Sequence, residues 1–322
     1  MSSEFALISR YFSRPVPADM LGGGDDCALF SVPPGRQLAT SIDLLLAGTH
    51  FFPDVDPAAL GHKSLAVNLS DLAAMGAEPV SCVLGLALPR VDEAWVAAFA
   101  DGFYALADRW GCPLVGGDTT RGECLTVSVT VFGAVAPERA LRRSGARAGD
   151  DIWVSGRLGA ADIALRLMQG RLPAEPDRLS RCRDALERPE PQVALGLALA
   201  GLAHAAIDLS DGLLQDLGHI LAASRCGAEL HYASLPADPA LAGLPEACVR
   251  EALLAGGDVY QLCFTAAQAD RAAVERAAAQ AGAPVTRIGR ITAEPGARVH
   301  LPDGTLLAGM AGGFDHFRET SS

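Results

Sequence analysis

The sequence predicts an α/β protein built as two domains. Two observations carry this. Strand-like apolar segments alternate with segments of helical spacing along the chain, the pattern of α/β folds. Half of the 322 residues are hydrophobic, so a sizeable core is available, and a chain of this length makes roughly two domains at about 100–200 residues each.

Each element has its own warrant. Residues 37–46 read as a strand, with Asp43 near its end. Residues 57–75 read as a helix. Residues 80–88 form an apolar strand stopped by Pro89. Residues 92–110 are helical, because Trp95, Phe99, Phe103 and Leu106 recur at spacings of three and four. Leu114 and Val115 make a short strand leading into a Gly116-Gly117-Asp118 turn, and residues 125–135 a long strand rich in Val and Thr. The polar, basic stretch 137–151 reads as the crossing between domains. The expected division is 1–141 and 142–322.

The second half opens with a strand at 152–155. The Gly156-Arg157-Leu158-Gly159 turn and a helix to about Gln169 follow. Residues 170–190 are rich in Pro and Arg and read as a helix-bearing connection. Strands are expected at 205–209, 228–232, 260–265 and 285–291, with helices at 211–224 and 267–281. Ser210 fits the N-cap of the first of these helices and Asp211 its first turn.

Composition narrows the partners. The formal charge is −12, which argues against duplex nucleic acid, whose binding needs a basic footprint. The eight cysteines form no C-x-x-C pair and lie in apolar stretches, as expected of buried free thiols in a reducing cytosol. No stretch resembles a signal peptide, and no apolar run reaches the roughly 18 residues of a membrane span. The expectation is a soluble, cytoplasmic protein with no membrane partner.

Six short acidic islands beside small residues remain to be explained: Gly22-Gly23-Gly24-Asp25-Asp26, Ser41-Ile42-Asp43, Asn68-Leu69-Ser70-Asp71, Gly116-Gly117-Asp118-Thr119-Thr120, Ile207-Asp208-Leu209-Ser210-Asp211-Gly212 and Gly256-Gly257-Asp258. A carboxylate in or beside an apolar run is costly without a cation. Several brought together repel unless divalent metal lies between them. Oxygen ligands favour Mg²⁺, which is bound through carboxylates together with phosphates. The expectation is therefore that remote aspartates meet in the folded chain and hold Mg²⁺ among phosphates.

On the 61–75 helix, Ser64, Asn68 and Asp71 fall at i, i+4 and i+7 on an otherwise apolar surface. This reads as a narrow wet seam rather than a solvated face, which would carry Lys and Glu. Asp208 stands at the end of an apolar strand, where ligands of α/β sheets commonly sit. The glycine turns at 22–24 and 116–117 permit close approach of backbone to phosphate. No G-x-x-x-x-G-K-[ST] loop or dinucleotide fingerprint is present, which disfavours a P-loop kinase. His50 could contact a substrate phosphate, although a lone histidine is more often structural. The remaining histidines show no metal-ligand spacing.

Taken together and in order, these islands resemble the thiamine-monophosphate kinase family. Its superfamily includes aminoimidazole ribonucleotide synthetase, selenophosphate synthetase and a hydrogenase maturation protein. The resemblance rests on Gly24-Asp25-Asp26-Cys27, Ser41-Ile42-Asp43 with Gly48-Thr49-His50-Phe51, and the run from Lys63 to Ala77. It continues through Gly117-Asp118-Thr119-Thr120-Arg121-Gly122, Arg143-Ser144-Gly145-Ala146, Ile207-Asp208-Leu209-Ser210-Asp211-Gly212-Leu213 and the closing Gly313-Phe314-Asp315-His316-Phe317. It covers nearly the whole chain.

The resemblance implies transfer of the γ-phosphoryl of ATP onto thiamine monophosphate, giving thiamine diphosphate. It implies Mg²⁺ ligands at Asp26, Asp43, Asp71, Asp118, Asp208 and Asp211, with Ser41 and Ile42 contributing hydroxyl or backbone oxygens. Of these, Asp43, Asp71, Asp118 and Asp208 would carry the reaction. Gly117, Asp118, Arg143 and Ser210 resemble ATP contacts, and His50, Asp258 and Phe314 match positions facing the thiamine substrate. The implied fold has an N-terminal mixed-sheet domain forming a dimer-spanning barrel, a C-terminal α/β domain, and the active site in the cleft between them. A homodimer follows from the same resemblance.

Several positions depart from the family pattern. Ile42 and Leu44 stand where Thr is usual, and Gly256-Gly257-Asp258-Val259-Tyr260-Gln261-Leu262 replaces Gly-Gly-Glu-Asp-Tyr-Glu-Leu. These changes bear on the substrate contact more than on the ATP and metal residues. Two alternatives stand beside the kinase: a sister ATP-dependent synthetase of the selenophosphate type, and a nucleotide-binding relative without turnover.

Overall fold

The structure is a computed structural model that describes residues 4–307. The chain forms two compact units, Met1–Leu72 with Ala77–Glu138, and Ala73–Gly76 with Arg139–Ser322. In the first, the short helix α1 (Glu4–Leu7) runs into one turn of π-helix. A four-stranded sheet follows, made of β1 (Gln37–Leu46), β2 (Glu78–Leu88), β3 (Leu114–Arg121) and β4 (Thr126–Val135), in the order β1-β4-β2-β3. The β1–β4 and β4–β2 pairs are antiparallel and β2–β3 is parallel. Along β4 the residues Val127, Val129 and Val131 are buried while Thr126, Ser128 and Thr130 are half-exposed, so one face of the sheet is packed and the other open.

The helices α2 (Pro57–Ala74) and α3 (Glu93–Arg109) stand close to where the apolar spacing puts them. Asp92 caps α3, its carboxylate accepting the amides of Ala94 and Trp95 at 3.0 and 3.2 Å. The two helices meet backbone to backbone. A Cβ at Gly61 would stand 2.1 Å from the Phe99 carbonyl oxygen, and one at Gly102 2.0 Å from that of Ala58. On α2, Leu60, Leu65, Leu69 and Leu72 are almost fully buried.

The second unit is built on a six-stranded sheet of order β10-β7-β9-β5-β8-β6. Its strands are β5 (Asp151–Ser155), β6 (Ala205–Asp208), β7 (Gly227–His231), β8 (Leu262–Ala266), β9 (Val285–Thr292) and β10 (Gly296–His300). Its helices are α4 (Ala160–Met168), α5 (Pro176–Glu187), α6 (Val193–Leu199), α7 (Leu213–Ser224), α8 (Glu246–Leu254) and α9 (Arg271–Ala281). The helix–strand alternation persists, yet only β10–β7 pairs in parallel.

Four expectations need correction. The Gly116-Gly117-Asp118 segment is not a turn. β3 continues through it, with Gly117 opposite Leu84 and Asp118 opposite Gly85, after a register shift at Cys82 and Val83. Ser210 does not cap α7: the helix begins at Leu213 with Gly212 in the cap position. The seam on α2 is dry at two of its three positions, since Ser64 and Asn68 are buried and bonded within the helix. The eight cysteines are free, but Cys27 and Cys124 are exposed. Helices α6 and α8 and strand β10 were not anticipated. α6 is a short Val-Ala-Leu-Gly-Leu-Ala-Leu run with no polar face to betray a period. Among the described residues no helix is long and apolar enough to cross a membrane.

Candidate active site

Two groups of the expected residues are assembled, one in each unit. In the first, α2 lies along β1 and presents Asn68 and Asp71 to it. The Asn68 Oδ1 accepts the Asp43 amide at 3.1 Å, and its Nδ2 donates to the Ser64 carbonyl at 3.0 Å, so both ends of the amide are used. The Ser41 hydroxyl donates to the Asp71 carboxylate at 2.5 Å. Ser41 and Asp43 alternate with exposed Thr40, Ile42 and Leu44 along β1, so strand periodicity alone turns this pair toward the helix.

The electrostatics of that pair are unusual. Burial, reinforced by repulsion from Asp71, pushes the Asp43 carboxyl up to about 7. Two carboxylates in a half-buried setting resist joint ionisation unless a cation joins them. The donors present are the carboxylates of Asp43 and Asp71 and the Ser41 hydroxyl, all hard oxygens suited to Mg²⁺. Among the described residues no three His, Cys, Asp or Glu side chains gather closely enough to hold a metal by themselves.

The other residues expected in this unit are more dispersed. Asp43, Val129, Leu84 and Gly117 form one row across the sheet, and Leu44, Ser128, Gly85 and Asp118 the next. Asp118 is thus three strands from β1, exposed on the edge strand, and alternation turns it to the face of Leu44. Gly117 is required where it stands, because a Cβ there would come within 2.0 Å of the Leu84 carbonyl oxygen. Ile42 is 63% exposed on the open face, so only its backbone could serve the Ser41–Asp43 side. Asp26 is exposed in the 22–28 loop, whose neck is closed by reciprocal amide–carbonyl bonds between Leu21 and Leu29 at 2.8 and 2.9 Å. His50 closes the turn after β1. Its Nδ1 accepts the Leu46 amide at 3.1 Å, which leaves the proton of the neutral ring on Nε2. The buried Lys63 donates to the His50 carbonyl at 3.3 Å.

In the second unit, β6 ends at the buried Asp208, and the chain then runs through Leu209, Ser210 and Asp211 into α7. The Gly256–Tyr260 loop lies directly on this segment. The Asp258 amide donates to the Ser210 carbonyl at 2.8 Å, and the Val259 and Tyr260 amides both donate to the Leu209 carbonyl at 3.2 and 2.7 Å. The contact is close enough that a Cβ at Gly257 would stand 2.6 Å from the Ser210 oxygen. Asp258 and Tyr260 carry φ of 59° and 51°, a strained conformation for Tyr that concentrates at functional sites. Residues 47 to 51 positions apart in sequence therefore join these two islands into one structure. Gln261 joins them through its backbone, its main-chain carbonyl accepting the Leu209 amide at 2.8 Å. Its side chain points elsewhere: Oε1 accepts the Ser155 hydroxyl at 2.7 Å, and that hydroxyl in turn accepts the Leu262 amide at 2.9 Å.

Asp216 is the residue that sequence reasoning missed. It is buried in the first turns of α7, and its Oδ2 accepts the amides of Asp211 and Gly212 at 3.0 and 3.1 Å. Burial pushes its carboxyl up to about 7, opposed by those two amides and by Arg143 and assisted by the Asp211 charge. The available signal was an aspartate four residues after Gly212 inside the apolar Leu213-Leu214-Gln215-Asp216-Leu217 run. Arg143 sits in a single 3₁₀ turn, Arg143–Gly145, before β5. Phe314 lies outside the described residues.

Comparison with known proteins places these features in context. Residues 24–135 match the AIR synthase related protein N-terminal domain family, and residues 147–302 the AIR synthase related protein C-terminal domain. The chain is 46% identical over 325 residues to a thiamine-monophosphate kinase of Escherichia coli (strain K12), covering 98% of each chain. It is similar to the crystal structure of thiamine-monophosphate kinase from Stenotrophomonas maltophilia K279a, with 48% identity, a TM-score of 0.83, and 92% and 94% of the two chains covered. It is also similar to a structure of AaThiL complexed with AMPPCP and TMP, with 27% identity, a TM-score of 0.76, and 98% and 97% covered.

Proposed function

The chain belongs to the thiamine-monophosphate kinase family, and from this we infer that it transfers the γ-phosphoryl of ATP onto the phosphate of thiamine monophosphate, yielding thiamine diphosphate and ADP. The observation that carries the reading is the full-length 46% identity to a thiamine-monophosphate kinase. It is supported by a structural neighbour that holds an ATP analogue together with TMP, and by the Ser41–Asp43–Asn68–Asp71 group, a hard-oxygen constellation without a Walker lysine.

The acceptor is a phosphate oxygen, already ionised at neutral pH, so no strong general base is needed. Its oxygen forms a bond to the γ-phosphorus while the β–γ bridging bond breaks toward ADP. Such a transfer needs positioning and charge neutralisation more than covalent chemistry. Bound Mg²⁺ would act as template and Lewis acid at the phosphates. Asp43 and Asp71 would hold it, with Ser41 orienting Asp71 and Asn68 fixing the β1 backbone at Asp43. Asp26, Asp118, Asp208 and Asp211 are the further acidic ligands we propose, with the Ile42 carbonyl as a backbone donor. Gly117, Asp118, Arg143 and Ser210 would meet ATP, and His50, Asp258 and Phe314 the thiamine phosphate. We place the domain boundary near residue 141, within the segment between the two family matches. We also propose a homodimer, supported by the open sheet face bearing exposed Leu38, Ile42 and Leu44, and a cytoplasmic site of action, supported by eight free thiols.

The test is direct. Purified protein with ATP, Mg²⁺ and thiamine monophosphate should form thiamine diphosphate, resolved by chromatography. Asp71→Asn should lose at least about a hundredfold in kcat, given the several kcal/mol a catalytic metal contributes, with an unchanged circular dichroism spectrum. Bound AMPPCP without any product from the wild type would overturn the reading.

A further inference from the structure

We propose that Ser224 is a positioning residue for Arg143, and through it for ATP binding. The inference rests on the functional reading above in taking Arg143 as a nucleotide contact.

The geometry is specific. Arg143 opens an isolated 3₁₀ turn whose sequence, Arg-Ser-Gly, has no capping side chain of its own. Ser224 is the last residue of α7, and its hydroxyl uses both of its functions on that turn. Oγ donates to the Arg143 carbonyl at 2.8 Å and accepts the Ala146 amide at 3.1 Å. One side chain therefore clasps the turn at its first residue and just beyond its last. The flanks are held separately. The Ala206 amide donates to the Arg142 carbonyl at 3.2 Å, and the Arg147 amide to the Asp150 carboxylate at 2.9 Å. Gly145 packs on the His204 carbonyl so closely that a Cβ would stand 1.7 Å from its oxygen. These contacts fix the approach and exit of the chain, and only the Ser224 contact holds the Arg143 carbonyl itself among the hydrogen bonds described.

The consequence reaches the far end of α7. Arg143 lies within electrostatic range of Asp216, which grips the Asp211 and Gly212 amides at the start of that helix. The backbone of Arg143 is thus tied to the C-terminal end of α7, while its charge is felt by Asp216 in the first turns of the same helix. Such an arginine directs its charge reproducibly only if its Cα does not move, because its long side chain amplifies a small backbone rotation. Ser224 touches neither the acidic loop nor the Gly256–Tyr260 loop in any hydrogen bond described here, so its effect should appear on the nucleotide alone.

The experiment compares Ser224→Ala and Ser224→Thr with the wild type by calorimetric titration with AMPPCP, and by kinetics with each substrate varied in turn. Loss of both backbone hydrogen bonds in Ser224→Ala should weaken AMPPCP binding and raise the KM for ATP about fivefold to tenfold. The KM for thiamine monophosphate should stay within about twofold, and Ser224→Thr should restore the nucleotide values. A merely structural serine would move both KM values together, and that result overturns the proposal, as does a Ser224→Ala protein with wild-type AMPPCP affinity. Wild-type protein that binds AMPPCP but makes no thiamine diphosphate fails the functional reading while leaving the binding comparison, and so the role of Ser224, decidable.

Discussion

At the scale of single residues, two aspartates are held near neutrality by their surroundings, and for different reasons. Asp43 is raised by burial and then by Asp71, two carboxylates that a cation would relieve. Asp216 is raised chiefly by burial while two amides point at it, which is the signature of a structural acceptor. Both shifts have the same consequence for stability. The ordinary carboxyl value of 3.8 rises to about 7 in the fold. Between those values the folded chain therefore binds more protons than the unfolded one. The associated stability is fully present below about pH 4 and is lost as the pH rises through about 7. In EDTA, Tm should accordingly be lower at pH 8 than at pH 5.5, and Asp216→Asn should flatten that difference, measured by differential scanning calorimetry. Added Mg²⁺ should recover more of the loss at pH 8 than at pH 5.5, because the ion binds the ionised form of Asp43.

At the scale of elements, α2 matters because it carries Asn68 and Asp71 to the edge strand. Its height above the sheet is set where α2 and α3 cross on Gly61 and Gly102. These glycines are needed for proximity: each faces a backbone carbonyl oxygen that cannot yield as a side chain can. Gly61→Ala should force the helices apart and cost about 1–3 kcal/mol, as overpacking does, read as a lower midpoint in urea. Because Asp71 rides on the same helix, activity should fall further than the remaining folded fraction explains. In the second unit, the link from β6 to α7 receives the Gly256–Tyr260 loop on the consecutive carbonyls of Leu209 and Ser210, so the link and the loop form one surface. Gln261, which looked in the sequence like a lost substrate contact, instead bonds to Ser155 at the end of β5. A neutral amide oxygen can accept that hydroxyl in place of a carboxylate, while the Gln261 backbone still receives the Leu209 amide.

At the scale of the whole molecule, the charge of −12 sets the problem that the site must solve, since both substrates are polyanions. The metal-binding carboxylates proposed above would answer it locally without a basic surface. The first unit also leaves a sheet face with Leu38, Ile42 and Leu44 each more than half exposed. A strip of that kind on β1 supports the homodimer proposed above. Leu44→Glu should shift the protein toward monomer in sedimentation velocity while leaving its helix content unchanged. Wild-type protein that is already monomeric at micromolar concentration would remove the dimer from the reading.

Much of this was legible before any coordinates. The strand at β1, the helices α2 and α3, and the glycine–aspartate words announced themselves through periodicity and through the cost of carboxylates in apolar surroundings, both of which are local. The strand through Gly116 and Gly117 was not legible, because two glycines favour a turn and only pairing with β2 makes them extended. Gly212 rather than Ser210 begins α7, because the loop resting on Ser210 uses its backbone first. Asp216, Ser224 and the dry seam at Ser64 and Asn68 were likewise hidden, since each is defined by its partner. The sequence by itself thus determined the chemistry available, a set of hard-oxygen side chains spread along a family pattern. Tertiary structure alone decided which of them meet, bringing Asp43 to Asp71 and the Asp258 loop to Ser210, because hydrogen bonds and charge repulsion act over a few ångströms of space however far apart along the chain their partners lie.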